Sequence, residues 1–403
     1  MSDIKRILVT GNGFDLYHCL PTAYKDFMDV VNRLLYLESK STDPLFLKYI
    51  FGNKKNEIYK NNKNIKKCFD TYSSQLGNIK LDKNNISQMK KIAKKNYWFN
   101  YFNSCMKDTE MAWIDFEKEI RHVLEEFQDF FTLFTQIDES SIQTDKIIIQ
   151  TRQLSISLRI VLNEFDFFTI EKDKKHIERE EIRISKDYCK KRFSNGTGYI
   201  VSINKSLITD FLTNELADFS KLFELYIIEF INKISVDGTV SSSIFKNVEA
   251  LITFNYTDTY RNIYKGLGNE SMEYIHGHAG NNNIVLGINS DKYDKLETID
   301  THFPSFKKEY KRILNGNLFH YKKLIPTSGK ISFIFFGHSL DITDESILKD
   351  LIDGYPNATS TFYYYDEKAK QTYVKNLFKL FGKEKVEELL EKNKIEFVSV
   401  YNS

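Results

Sequence analysis

Glycine and proline are scarce, with 17 and 5 copies in 403 residues, where an average chain spends about one residue in eight on the pair. That shortage excludes collagen-like and low-complexity architectures, and it disfavours an all-β sandwich or barrel, which needs a turn signal every ~8–12 residues. Cysteine is scarce too. Cys19, Cys68, Cys105 and Cys189 form no CxxC pair, which argues against a zinc ribbon or a disulfide framework and fits a reducing cytoplasm. No apolar run reaches the ~18 residues of a membrane span, and the apolar stretch in MSDIKRILVTG is too short for a secretory signal. Charge of one sign is also missing: 57 Lys and Arg stand against 55 Asp and Glu, a formal net charge of +2. Nothing in that balance calls for nucleic acid or an anionic membrane.

What is present is a large apolar fraction, 41% hydrophobic and 14% aromatic, enough for a substantial core. The length gives a prior of two to three structural units. Residues 4–9 (IKRILV) read as a buried strand that stops at Thr10-Gly11-Asn12-Gly13. Apolar spacing then predicts a helix over 23–37, with Thr22 as its N-cap. From 41 to 245 the texture is helical, and between Phe14 and Asn195 only Gly52 and Gly77 occur. Helices are expected over 111–134, 146–168 and 206–234, while the charge-dense stretches 54–67 and 171–192 read as solvated loops or helix faces.

After Val248 strand-like runs return at 250–254, 273–275, 284–286, 331–336, 359–365 and 395–400. Helical patterns at 345–352, 367–381 and 383–391 lie between several of them. This alternation predicts an α/β fold: a Rossmann-like, mostly parallel sheet built from 1–40 and 246–403, interrupted by a large all-helical insertion over 41–245.

Four predicted strands end in polar clusters: Gly11-Asn12-Gly13-Phe14-Asp15, Asn255-Tyr256-Thr257-Asp258, His276-Gly277-His278 and Gly337-His338-Ser339. In a parallel sheet, ligands lie beyond the carboxyl ends of the strands, so the four should converge. Gly11-x-Gly13 suits a turn that exposes N–H groups to phosphate, or simply a tight turn. Leu16 stands where the dinucleotide fingerprint wants its third glycine, which disfavours an ordinary dehydrogenase. Asn255 suits a water or a ribose hydroxyl, or an Asx turn. His276 has the reference pKa of a base at neutral pH. His276 and His278, with Asp341, Asp344, His338 or His302, are the residues a metal-dependent phosphoesterase or nuclease would use, but no HExxH is present and no metal is expected. Trp113, Phe116, Glu117 and Ile120 form a helical stripe; Trp113 and Phe116 read as core, while Glu117 could reach the strand-end site only if this helix lies over it.

The opening GNGFDLYHCLPTAYKDF, with the later FNYTDTY, IHGH and FGHSL blocks, resembles the AbiH family of bacteriophage abortive-infection proteins. The same four blocks are similar to the motifs of sirtuins and sirtuin-like NAD hydrolases. That resemblance implies a sirtuin-like fold with Gly11, Gly13, Gly337 and Ser339 on the dinucleotide and Asn255 and His276 at the chemistry. Asn12, Phe14, Asp258, Gly277 and His338 fall in the same clusters and are expected at the cofactor, and Asp15 is expected to accept from a hydroxyl or to orient His276. Three departures stand out. Asp15 replaces the usual serine, the acid after Asn255 comes one residue late at Asp258, and the four-cysteine zinc module is absent, which points to NAD hydrolysis rather than deacylation. The expectation is therefore an antiviral NAD glycohydrolase, with a non-catalytic nucleotide sensor or assembly module as the alternative. The expected partners are NAD or a related nucleotide, a phage-derived or host trigger and a second copy of the chain.

Overall fold

The computed structural model describes residues 4–37, 57–108, 115–135, 147–150, 155–166, 168–172, 179–184, 188–194, 197–236, 243–289, 302–316 and 319–402. The chain divides into two compact units. The first contains Met1–Lys91, Lys221–Val285 and Arg312–Ser403, and the second contains Ile92–Ser220 and Leu286–Lys311.

Strands are numbered in chain order: β1 Ile4–Thr10, β2 Ile147–Gln150, β3 Phe168–Lys172, β4 Arg179–Ile184, β5 Cys189–Ser194, β6 Thr197–Ile203, β7 Ala250–Thr253, β8 Met272–Tyr274, β9 Lys330–Phe336, β10 Ala358–Tyr364 and β11 Ile395–Ser399. Six of them form one sheet in the first unit, ordered β11-β10-β9-β1-β7-β8 with every pair parallel. The α/β fold expected from the alternation is the one found. Relabelled in the order the chain makes them, these six strands run 3-2-1-4-5-6, the order of a doubly wound dinucleotide fold. The order reverses between β1 and β9, where Thr10 lies opposite Phe336.

The sequence of β1 explains its central place. Ile7 and Val9 belong to one buried cluster with Phe333, Phe335, Leu348 and Leu377, while Leu8 belongs to a second with Phe14, Leu251, Ile334 and Phe336. Both faces are covered, so the strand is apolar along its length instead of alternating. Helices Glu345–Asp353 and Glu367–Phe381 supply the cover on the first face. Phe14 and Tyr260, from the short helices Asn12–Tyr17 and Thr259–Tyr264, contribute to the second.

Several expectations need correction. The insertion is not all helical, because β2 to β6 form two small antiparallel sheets, β2-β4-β3 and β5-β6. The helix expected over 146–168 is instead β2, the helix Ile156–Glu164 and the start of β3. The charge-dense 171–192 stretch contains β4 and most of β5, and the EIRI end of β4 alternates charge and isoleucine at the two-residue period of a strand. The helix after Pro21 spans Tyr24–Tyr36 with Ala23 at its N-cap. Asp26 Oδ2 accepts from the Ala23 N–H at 2.9 Å, and Thr22 bonds Asn12 instead. No strand forms at 284–286, where the Val285 N–H donates to His276 O at 2.8 Å. Trp113 lies outside the described residues. Among the described residues no helix is long and apolar enough to cross a membrane.

Candidate functional site

The carboxyl ends of β1 and β9 are in backbone contact. The Gly11 N–H donates to Phe336 O at 3.3 Å and the Gly13 N–H to Gly337 O at 2.8 Å. Gly337 has φ +70°, and a Cβ built there would lie 2.2 Å from Phe14 N, while one at Gly13 would lie 2.7 Å from Gly337 Cα. These glycines are required because two main chains touch. The Gly11 and Gly13 donors expected to face phosphate thus have carbonyl acceptors, and what the two turns present to solvent is Asn12 and Ser339. Phe14 is core, edge-on to Phe245 and Phe336. Burial pushes the nearby His18 down to about 4, so this imidazole is neutral, held by Phe14 O at 2.8 Å and the Tyr264 hydroxyl at 2.9 Å.

Between β1 and β7, Asn255 ties the strand ends together by donating from Nδ2 to Gly11 O at 3.0 Å. Beside it runs a hydroxyl chain: Thr259 donates to Thr257 at 3.0 Å, and Thr257 to Asp15 Oδ2 at 2.8 Å. Asp15 is 1% exposed and its Oδ1 is buried without a hydrogen-bond partner. Burial raises its carboxyl to about 6, against the lowering effect of the neighbouring Thr259, Thr257 and Asn255 polar groups. The direction has a testable sign. A carboxyl raised from 3.8 to about 6 binds more protons folded than unfolded in that window, so its contribution to stability declines as pH rises through it. Asp15→Asn is therefore expected to be more stable than the parent at pH 7.5, by up to about 3 kcal/mol, with the gap closing near pH 4. Urea unfolding at both pH values measures this, and a less stable variant at pH 7.5 would mean that the bonds to Asp15 outweigh its burial. His18 and Asp26 titrate in both proteins and cancel from the difference.

His276 follows β8 and is 5% exposed. The carboxylate that faces it is Asp344, not Asp15: Nε2 lies 3.1 Å from Asp344 Oδ1. Arg312 Nη2 donates toward His276 Nδ1 at 3.3 Å and toward Asp344 Oδ1 at 3.5 Å. Because guanidinium only donates, Nδ1 carries the lone pair and the neutral ring carries its proton on Nε2, toward the carboxylate. His338 completes the group. Its Nδ1 accepts from the Leu340 N–H at 2.9 Å, and its Nε2 lies 3.6 Å from Asp344 Oδ2. Phe254 packs on both imidazoles, with ring centroids 5.5 Å from His276 and 4.2 Å from His338.

His278 faces a different carboxylate from the one beside His276, since Gly277 at φ +87° turns the chain between them. His278 Nε2 is 2.9 Å from Asp258 Oδ2, close but without hydrogen-bond alignment. Asp258 also accepts from the Tyr274 hydroxyl at 2.8 Å. Burial would raise this carboxyl, but the His278 and Tyr274 contacts outweigh it and hold it below its ordinary value. The turn after His276 is pinned by Glu224, whose Oε1 accepts from the Gly280 and Asn282 N–H groups at 2.8 and 2.9 Å. Sequence reasoning missed Glu224, and also Arg312.

Glu117 and Lys308 form a 2.6 Å ion pair within the second unit. Among the described residues no group of three or more His, Cys, Asp or Glu side chains is placed to hold a metal ion. Residues 7–365 match the family described as Bacteriophage abortive infection AbiH. No curated protein and no solved structure matches the chain.

Proposed function

We propose, from the premise that the chain belongs to the Bacteriophage abortive infection AbiH family and so acts in defence against phage, that its chemistry is hydrolysis of NAD at the nicotinamide–ribose bond. The observation that carries this reading is the strand order. A parallel sheet running 3-2-1-4-5-6 takes dinucleotides at the reversal point, here the β1 and β9 ends, and the His276–Asp344 pair belongs to the same carboxyl edge, since Asp344 also faces His338 beside the Gly11 turn. In the reaction the C1′–N bond breaks, nicotinamide leaves with the electron pair, and a water oxygen bonds to the sugar carbon. That water gives its proton to His276 Nδ1 while Nε2–H stays on Asp344, the usual arrangement of an oriented base. Asn255, with Nδ2 on Gly11 O, offers its amide oxygen to a ribose hydroxyl. Holding the sugar cation and one water in place supplies much of the acceleration.

A second reading, nucleotide binding without cleavage, is favoured by one observation: both ring nitrogens of His276 already have partners. Nicotinamide release by the full chain separates the two. His276→Ala is expected to slow release by about 10²-fold or more, and to relieve growth arrest on induced expression in step with recovered NAD. Arrest with undiminished NAD would overturn cleavage and leave binding.

A further inference from the structure

Arg312 is a buried charged group whose contacts do not account for its placement. It lies on the helix Lys308–Leu314 and is 2% exposed, while its helix neighbours Ile313 and Leu314 are exposed, the reverse of an ordinary amphipathic face. A guanidinium taken out of water is normally held by two parallel bonds to a carboxylate. This one is not. Both contacts come from Nη2, at 3.3 Å to an imidazole nitrogen and 3.5 Å to a carboxylate oxygen, and Nε is buried with no acceptor. The group has donors to spare where a neutral imidazole lone pair and a carboxylate meet.

We infer that Arg312 is the anion receptor of this site, alternating between the His276–Asp344 pair and a phosphate or pyrophosphate oxygen of the ligand. An anionic oxygen offers the charge-assisted, two-bond partner that the imidazole does not. When the guanidinium turns to it, His276 Nδ1 is uncovered while Nε2–H keeps its place on Asp344. The ligand therefore prepares the base, and a nucleoside that lacks phosphate would neither bind well nor release His276. This inference rests on the reading of the strand-end crevice as a nucleotide site, but its test does not need cleavage.

The test is calorimetric binding of ADP-ribose and of adenosine to the full chain and to Arg312→Gln and Arg312→Lys, with inorganic pyrophosphate as competitor. The parent is expected to prefer ADP-ribose by about ten- to a hundred-fold, as befits a hydrogen bond to a charged group. Arg312→Gln should abolish that preference, and Arg312→Lys should retain part of it. Pyrophosphate should compete against the parent and not against Arg312→Gln. If the glutamine variant does not fold, the ¹⁵N resonance of His276 Nδ1 in the parent decides: it should move on addition of ADP-ribose and stay put with adenosine. An unchanged preference in a folded Arg312→Gln protein, an unmoved Nδ1 signal, or failure of the parent to bind either probe would overturn the inference. A parent that binds ADP-ribose through Arg312 yet never releases nicotinamide would overturn NAD cleavage and leave the receptor standing.

Discussion

Gly337→Ala is expected to leave the α/β unit unable to fold at 37 °C, with a loss of about 4 kcal/mol or more, at the extreme of single substitutions. Two costs combine. At φ +70° any L side chain is strained, by about 1–2 kcal/mol. The larger cost is collision, because the new Cβ would sit 2.2 Å from Phe14 N and 2.4 Å from Gly13 C. These are main-chain atoms, held by the 2.8 Å Gly13 N–H to Gly337 O bond, so relief means separating β1 from β9. Gly316→Ala is the control, with φ +71° and nothing within 4 Å of its Cβ. It should cost only the strain. Soluble yield and thermal melting of the two variants measure the difference, and equal losses would show that the close approach of the strand ends contributes nothing.

The second large effect is expected from Asp344→Ala. The substitution removes the carboxylate shared by Arg312, His276 and His338 and leaves a guanidinium buried at 2% exposure without it. Breaking one side of a buried pair costs about 3–5 kcal/mol. Arg312→Met in the same background should recover much of that loss, because the charge that needed the carboxylate is gone. A double-mutant cycle by denaturant unfolding reads the coupling directly. Strictly additive losses would mean that the 3.5 Å contact between Arg312 and Asp344 has no energetic content.

The sheet was legible because its central strands are buried on both faces, so ILV in β1 and FIFF in β9 stand out as uninterrupted apolar runs. The polar clusters after them mark the strand ends, and Asn255, His276 and Asp15 could be singled out there. Arg312 could not, since KEYKRIL reads as a solvated helix and only tertiary placement turns its arginine inward. Asp344 could be noticed but not assigned, because its place beside His276 depends on a contact 68 residues distant in sequence that no local pattern encodes. The hairpin β5–β6 had a signal that went unused: Ser194 pairs with Thr197, and the dipeptide between them is Asn195-Gly196, a strong short-range hairpin signature.

The pairing of β1 also governs when the candidate site can come into being. β1 leaves the ribosome well before either of its neighbours, so Thr10 waits for Thr253 on one side and Phe336 on the other. At about 5–20 residues per second, that wait is on the order of tens of seconds. Until His338 has been synthesised, Gly11 has no main chain to pack against and Asp344 does not exist to hold His276. A nascent or prematurely terminated chain would therefore carry the opening glycine turn without the site. The proposed activity would therefore be confined by topology to chains that already carry β9 and Asp344.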